Sequence, residues 1–284
     1  MPIYEQTYRR YVARGPLRQF RFWPITREAL RLILAKRVFL FLMCLLWIPF
    51  IIFTGYVYVL SNAPAVADLR RVVTLDGRVF GQFLAVQAWL ALLPTIFGGS
   101  GLVANDLRTG AILAYLSRPL TWRDYVLGKL GVLLSLNLAV TLAPGLLLYG
   151  LSLAIAPAIF ANWNFAWIGP AVILQSFVVS LVWSLVALAV SALSKSARVA
   201  GIGFFGLILA LNLVLVIVRQ IYRTRAVMLL SIRGDIEALG AALFGLTPEA
   251  PQLHWAWPAL TLTAVCLTCL VILRSRVRAV EIVQ

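Results

Sequence analysis

Residues 38–60 read VFLFLMCLLWIPFIIFTGYVYVL, a run without a single charged side chain. About 20 apolar residues in a helix cross a hydrocarbon core of about 30 Å, so this run has the length of a membrane span. Five more runs follow at about 80–104, 130–156, 165–193, 199–218 and 255–273. Inside lipid every backbone N–H and C=O must find a partner within the chain, which leaves helices or a closed barrel. These runs are continuously apolar instead of alternating, so helices are expected. Only 12% of the 284 residues are charged, against about 25% in soluble domains. The expected fold class is therefore all-α integral membrane, with six transmembrane helices.

The net charge of +15 raises nucleic-acid binding, and its distribution argues against that reading. Lys and Arg counted on alternate sides of the six runs number 18 on one side and 7 on the other. The richer side holds both termini, 105–129 and 194–198. By the positive-inside rule that side is cytoplasmic, with the chain multi-pass in the inner membrane and in contact with anionic lipid. Residues 23–37, WPITREALRLILAKR, place Leu30, Ile33, Leu34 and the Arg37 stem on one stripe. An interfacial amphipathic helix is expected there, within a cytoplasmic N-terminus of 1–37. The tail 274–284 is cytoplasmic. The outer loop 219–254 is too long for a turn, and 236–246 suits either a short amphipathic helix or a re-entrant piece.

Chemistry is sparse. His254 is the only histidine and lies beside Trp255 and Trp257, where an interfacial imidazole is expected. All ten acids fall outside the runs, which lowers the standing of an intramembrane hydrolase or a proton-coupled carrier. Cys44, Cys266 and Cys269 sit within apolar runs and read as small hydrophobes, so the Cys-Leu-Thr-Cys spacing is no redox pair. Gly201, Gly203 and Gly206 match a dinucleotide fingerprint by letter only, since apolar sequence continues through 218 where a soluble strand and helix are required. No Gly-rich phosphate loop ends in Gly-Lys-Ser/Thr. No catalytic, metal or cofactor residue is expected in this chain. Among the amides inside the runs, Gln82, Gln87, Asn137 and Asn212 are candidates for a substrate path, and Gln175 is a fifth intramembrane amide.

The segment 106–129, DLRTGAILAYLSRPLTWRDYVLGK, carries six charges. Pro119 tends to end a helix, and Thr121 with Asp124 reads as a short capping box opening a second short helix. Asp106, Gly110, the block Leu116-Ser117-Arg118-Pro119-Leu120 and the closing Leu127-Gly128-Lys129 resemble the signature after the second span of ABC-2 type transporter permeases. Asp106 stands where Glu is usual in that pattern, and Ala111 where Thr often follows the glycine. The resemblance implies a coupling helix within 105–129 that docks on a separate ABC ATPase subunit. Asp106, Arg108, Gly110, Leu113, Leu116, Ser117, Arg118, Pro119, Leu120, Arg123 and Lys129 would make that contact, and Lys195 and Arg198 would form a second cytoplasmic loop. Arg118, Arg123 and Lys129 would be available to acidic groups on the partner or to lipid headgroups. It further implies two ATPase copies binding ATP and Mg, a second permease copy or related chain, and export. A membrane-embedded transferase, using Asp106 with Asp124, and an ABC-type signalling or scaffold subunit remain as alternatives. The substrate, whether lipid, amphiphile or glycan, is not legible.

Overall fold

The computed structural model describes residues 22–62, 77–111, 121–155, 166–221, 229–245 and 254–281, apart from the side chains of 219 and 278–281. All regular structure among the described residues is helical. An N-terminal helix α1 (Trp23–Leu34) precedes the first span, which is built from α2 (Arg37–Leu45) and α3 (Ile48–Asn62). The second span comprises α4 (Gly77–Leu90), α5 (Leu92–Gly99) and α6 (Gly101–Thr109). Spans three to five are α7 (Trp122–Ile155), α8 (Ile168–Leu193) and α9 (Ala197–Ile221). A shorter helix α10 (Ile232–Leu243) separates them from the sixth span, α11 (Ala256–Glu281). Six of these units are long and apolar enough to cross a membrane, as a multi-pass protein requires.

Helix α8 is the hub. Its most apolar stretch is 72% buried, whereas the corresponding stretches of spans one and five are 11% buried and turn their leucines and valines outward. A helix that is apolar all round satisfies either lipid or protein, so hydropathy alone cannot rank the spans by position. Small residues decide it: Ser176, Ser180, Ser184, Ala187 and Ser191 let neighbouring helices approach α8 from several sides. A large ring then fills the centre, with Trp183 1% exposed, edge-on to Phe204 and donating its indole N–H to the Ala88 carbonyl at 3.0 Å.

Span two breaks twice, for identifiable reasons. Pro94 has no amide hydrogen, and the regular helix is interrupted at Ala91, one turn before it. The second break, at Ser100, is bridged by Ser191 of α8. That hydroxyl donates to the Ser100 carbonyl at 2.8 Å and accepts from the amides of Val103 and Ala104 at 3.3 and 3.0 Å. Gly98 and Gly99 lie so close to Leu136 and Leu133 that a Cβ would approach those side chains to 3.0 Å. Small residues therefore set the spacing between spans two and three.

One sequence expectation is corrected here. Thr121 does not open a separate short helix. The helix it caps is α7, which runs unbroken for 34 residues, so positions 122–129 are the first turns of span three.

Candidate functional site

The face of the bundle bearing residues 105–111 and 121–129 gathers α1, the end of α6, the start of α7 and the turn at 194–198. Asp106, near the end of α6, meets Lys129 of α7 at 2.7 Å, with their side chains only 17% and 6% exposed. The Tyr125 hydroxyl, one turn before Lys129, donates to the same Asp106 oxygen at 2.9 Å, and the Lys129 ammonium lies 5.6 Å from the Tyr125 ring centroid. A single carboxylate thus holds a phenol and an ammonium from the neighbouring helix. The expectation that Lys129 is available to a partner or to lipid is corrected. Its positive charge is spent inside the chain, because a buried ammonium requires a counter-charge.

Gly110 explains itself by geometry. Its φ of +70° is the left-handed conformation that ends α6, and a side chain would be strained there. Thr121 and Asp124 form the expected capping box. The Asp124 carboxylate accepts from the Thr121 amide at 3.0 Å and its hydroxyl at 2.8 Å, while the Asp124 amide points back at that hydroxyl at 3.4 Å. Trp122 lies between two guanidinium groups, Arg123 at 5.7 Å and Arg274 of α11 at 5.8 Å. Arg108, Arg123, Lys195 and Arg198 are exposed on this face. Leu113, Leu116, Ser117, Arg118, Pro119 and Leu120 lie outside the described residues.

Helix α1 is fastened to this region. The Thr26 hydroxyl donates to the Gly128 carbonyl at 2.8 Å, and a Cβ at Gly128 or Gly131 would come within 3.0 Å of Ile25 or Thr26. The glycines of Gly128-Lys129-Leu130-Gly131 therefore form a helix-docking notch, which the sequence reading missed. The buried stripe of α1 is Ile25 and Thr26, continuing through Ala29, Leu30 and Ile33. Leu34, placed on that stripe by periodicity, is 38% exposed.

The four amides read as a substrate path do not converge. Asn137 is fully buried, and its amide N–H groups donate to Thr95 at 2.8 Å and Ser184 at 3.3 Å, joining spans two, three and four. Gln87 is also fully buried and reaches the Leu46 carbonyl of span one at 3.4 Å. Asn212 donates to Ile208 and accepts from the Ser231 hydroxyl at 3.0 Å. These three hold helices together. Gln82 faces a cavity, and there it is joined by Gln175.

That cavity depends on α10, whose position the sequence left open. Ser231, the N-cap of α10, is fully buried beside Asn212, well short of the end of α9 at Ile221. The Arg233 guanidinium sits 4.1 Å from the Trp89 ring, about 18 Å along α4 from Gly77 by the helical rise. The far end is Phe244, against Trp167 at the start of α8. Helix α10 thus packs its N-terminal end deep in the bundle, against Asn212 and Trp89, and its C-terminal end against the start of α8. Asp235 on its inner side accepts from the Thr261 hydroxyl at 2.7 Å, and burial lifts its carboxyl to about 6 despite that hydrogen bond. Arg233 and Glu237 pair at 2.7 Å across one turn. These three charges on α10 were counted in an outer loop, and no local periodicity distinguishes a loop helix from one tucked into the bundle.

Cys44, Cys266 and Cys269 are free thiols, and among the described residues no cluster of three His, Cys, Asp or Glu could hold a metal ion. No protein-family model matches the chain, and no curated protein matches it either.

Proposed function

We propose that this chain is the membrane subunit of an ATP-driven transporter of the ABC-2 type, working as two copies or two related chains with two separate ATPase subunits. The observation that carries the reading is the Asp106–Tyr125–Lys129 cluster. It ties the end of span two to the start of span three, so the two ends of the segment between them are braced against each other. Force applied to such a segment passes into two spans at once, as coupling to a soluble motor needs. Exposed Arg108, Arg123, Lys195 and Arg198 on the same face offer cations to an acidic partner surface. By resemblance the work done is export; by the distribution of Lys and Arg both termini face the cytoplasm, and by its amphipathic stripe α1 lies at the inner surface of the membrane.

The transferase alternative loses its only pair of acids. Asp106 is engaged by Lys129 and Tyr125, and Asp124 closes a helix cap. A general acid or base must instead reach its substrate.

The test is capture of the tagged chain from native membranes, with an ATPase bearing a nucleotide-binding loop identified in the complex by mass spectrometry. Replacing Leu116, Pro119 and Arg123 by Ala is expected to release that ATPase while leaving the permease folded. An ATPase retained at full yield, with transport intact, would sink the coupling assignment.

A further inference from the structure

The cleft between α4, α8 and α10 has a volume of about 290 Å³, the space of about ten waters, and is lined mainly by apolar groups including Ala85, Ile236, Ala241 and Phe244. Three polar side chains reach it: Gln82, Gln175 and Glu237. Their character is biased toward accepting hydrogen bonds. The Gln175 amide N–H donates to the Ile236 carbonyl at 2.9 Å, which can only accept, so the orientation of this amide is fixed and its oxygen is turned away from that bond. That oxygen has no partner among the described residues, although Gln175 is 3% exposed. Glu237 adds a carboxylate. One oxygen of that carboxylate is held by Arg233 at 2.7 Å; Arg233 lies toward Trp89, in an adjoining pocket that shares Ala85, Ile236 and Glu237 with this cleft, and leaves the carboxylate's remaining lone pairs to the cleft.

Arg233 and Glu237 keep side-chain exposures of 36% and 38% on a helix whose N-terminus lies well inside the bundle. Exposed charge at that depth is costly against hydrocarbon, so this side of α10 faces water or a polar group. A pocket with apolar walls and a few convergent acceptors suits a ligand that is apolar at one end and donor-bearing at the other. We propose that this cleft binds an amphiphile with a cationic, amine-bearing head, the head at Glu237, Gln82 and Gln175 and the chain along Ala85, Ala241 and Phe244. An anionic head would meet the Glu237 carboxylate before Arg233, which lies outside the lining, and is disfavoured. The site rests on its lining alone and stands whether or not the chain couples to an ATPase.

The test uses the full chain in detergent with Cys44, Cys266 and Cys269 replaced by Ala and a single reporter thiol introduced by Ala85→Cys. Dodecylamine should slow maleimide labelling of that thiol several-fold, and decyl sulfate at equal concentration should not. Glu237→Gln should raise the dodecylamine concentration needed at least tenfold. Gln82→Leu, at the exposed rim and away from the Arg233 pair, should weaken protection in the same direction if Glu237→Gln fails to fold. Equal protection by both amphiphiles would show that the cleft reads only the chain and would overturn the headgroup assignment. Absence of protection by either would overturn the site.

Discussion

Lys129 is where charge and burial conflict most sharply. Its sequence context, closing a basic cytoplasmic segment, suggested a surface cation, and only the placement of Asp106 against it shows otherwise. Breaking a buried pair from one side leaves a charge without a partner and typically costs 3–5 kcal/mol, roughly. Lys129→Ala is therefore expected to lower thermal stability in detergent by about that much. The exchange Asp106→Lys with Lys129→Asp should recover part of the loss, and full stability of Lys129→Ala would contradict the pairing. Asp235 carries the opposite lesson, since here burial acts on one carboxyl with a hydroxyl as partner. Its carboxyl titrates at about 6 in the folded chain against 3.8 ordinarily, so the folded state holds the proton more tightly than the unfolded state. The stability that Asp235 contributes is then greatest below pH 3.8, falls as the pH rises toward 6 and levels off beyond it. The difference in melting temperature between the chain and its Asp235→Asn variant should follow that fall across the window, and a difference independent of pH would contradict it.

Among the elements, α1 and the start of α7 form one unit. The Gly128 and Gly131 notch admits Ile25 and Thr26, and no larger residue fits without displacing α1. Gly131→Leu is expected to detach α1, exposing it to limited proteolysis after Arg27 or Arg31 while the spans remain intact. Unchanged protection of α1 would show that the notch is not what holds it. The cap at Thr121 is a smaller effect: Thr121→Ala should cost about 1 kcal/mol of stability, measured by thermal unfolding. The capping box was legible because its geometry is local, spanning three residues. The continuity of α7 through Lys129 was not, because a charged stretch reads as loop until a distant carboxylate neutralises it. Likewise α1 was visible as an amphipathic stripe, but its register shifted toward Ile25 and Thr26, since the face it buries is chosen by the glycines of another helix.

At the scale of the whole molecule, the distribution of Lys and Arg gives a topology to check directly. Single cysteines in a cysteine-free background at 195 and at 70 should label from opposite sides of sealed membranes, with Lys195→Cys accessible only from the cytoplasm and Arg70→Cys only from outside. Labelling of both from one side would refute the six-span arrangement.

The sequence by itself determined that the chain is helical and has six segments fit for a membrane, because hydrophobic length and the need to satisfy backbone groups in lipid are properties of a segment alone. It also located the charged segment between spans two and three, and the cap that opens α7. Only the tertiary structure decided that α8 is the hub, that α10 packs against α4 and α8 to form a cleft, and that Gln87, Asn137 and Asn212 bond across helices. Those outcomes depend on which residues meet across the bundle. An amide, an aspartate or a glycine reads the same in sequence whether its partner is water, a ligand or a neighbouring helix.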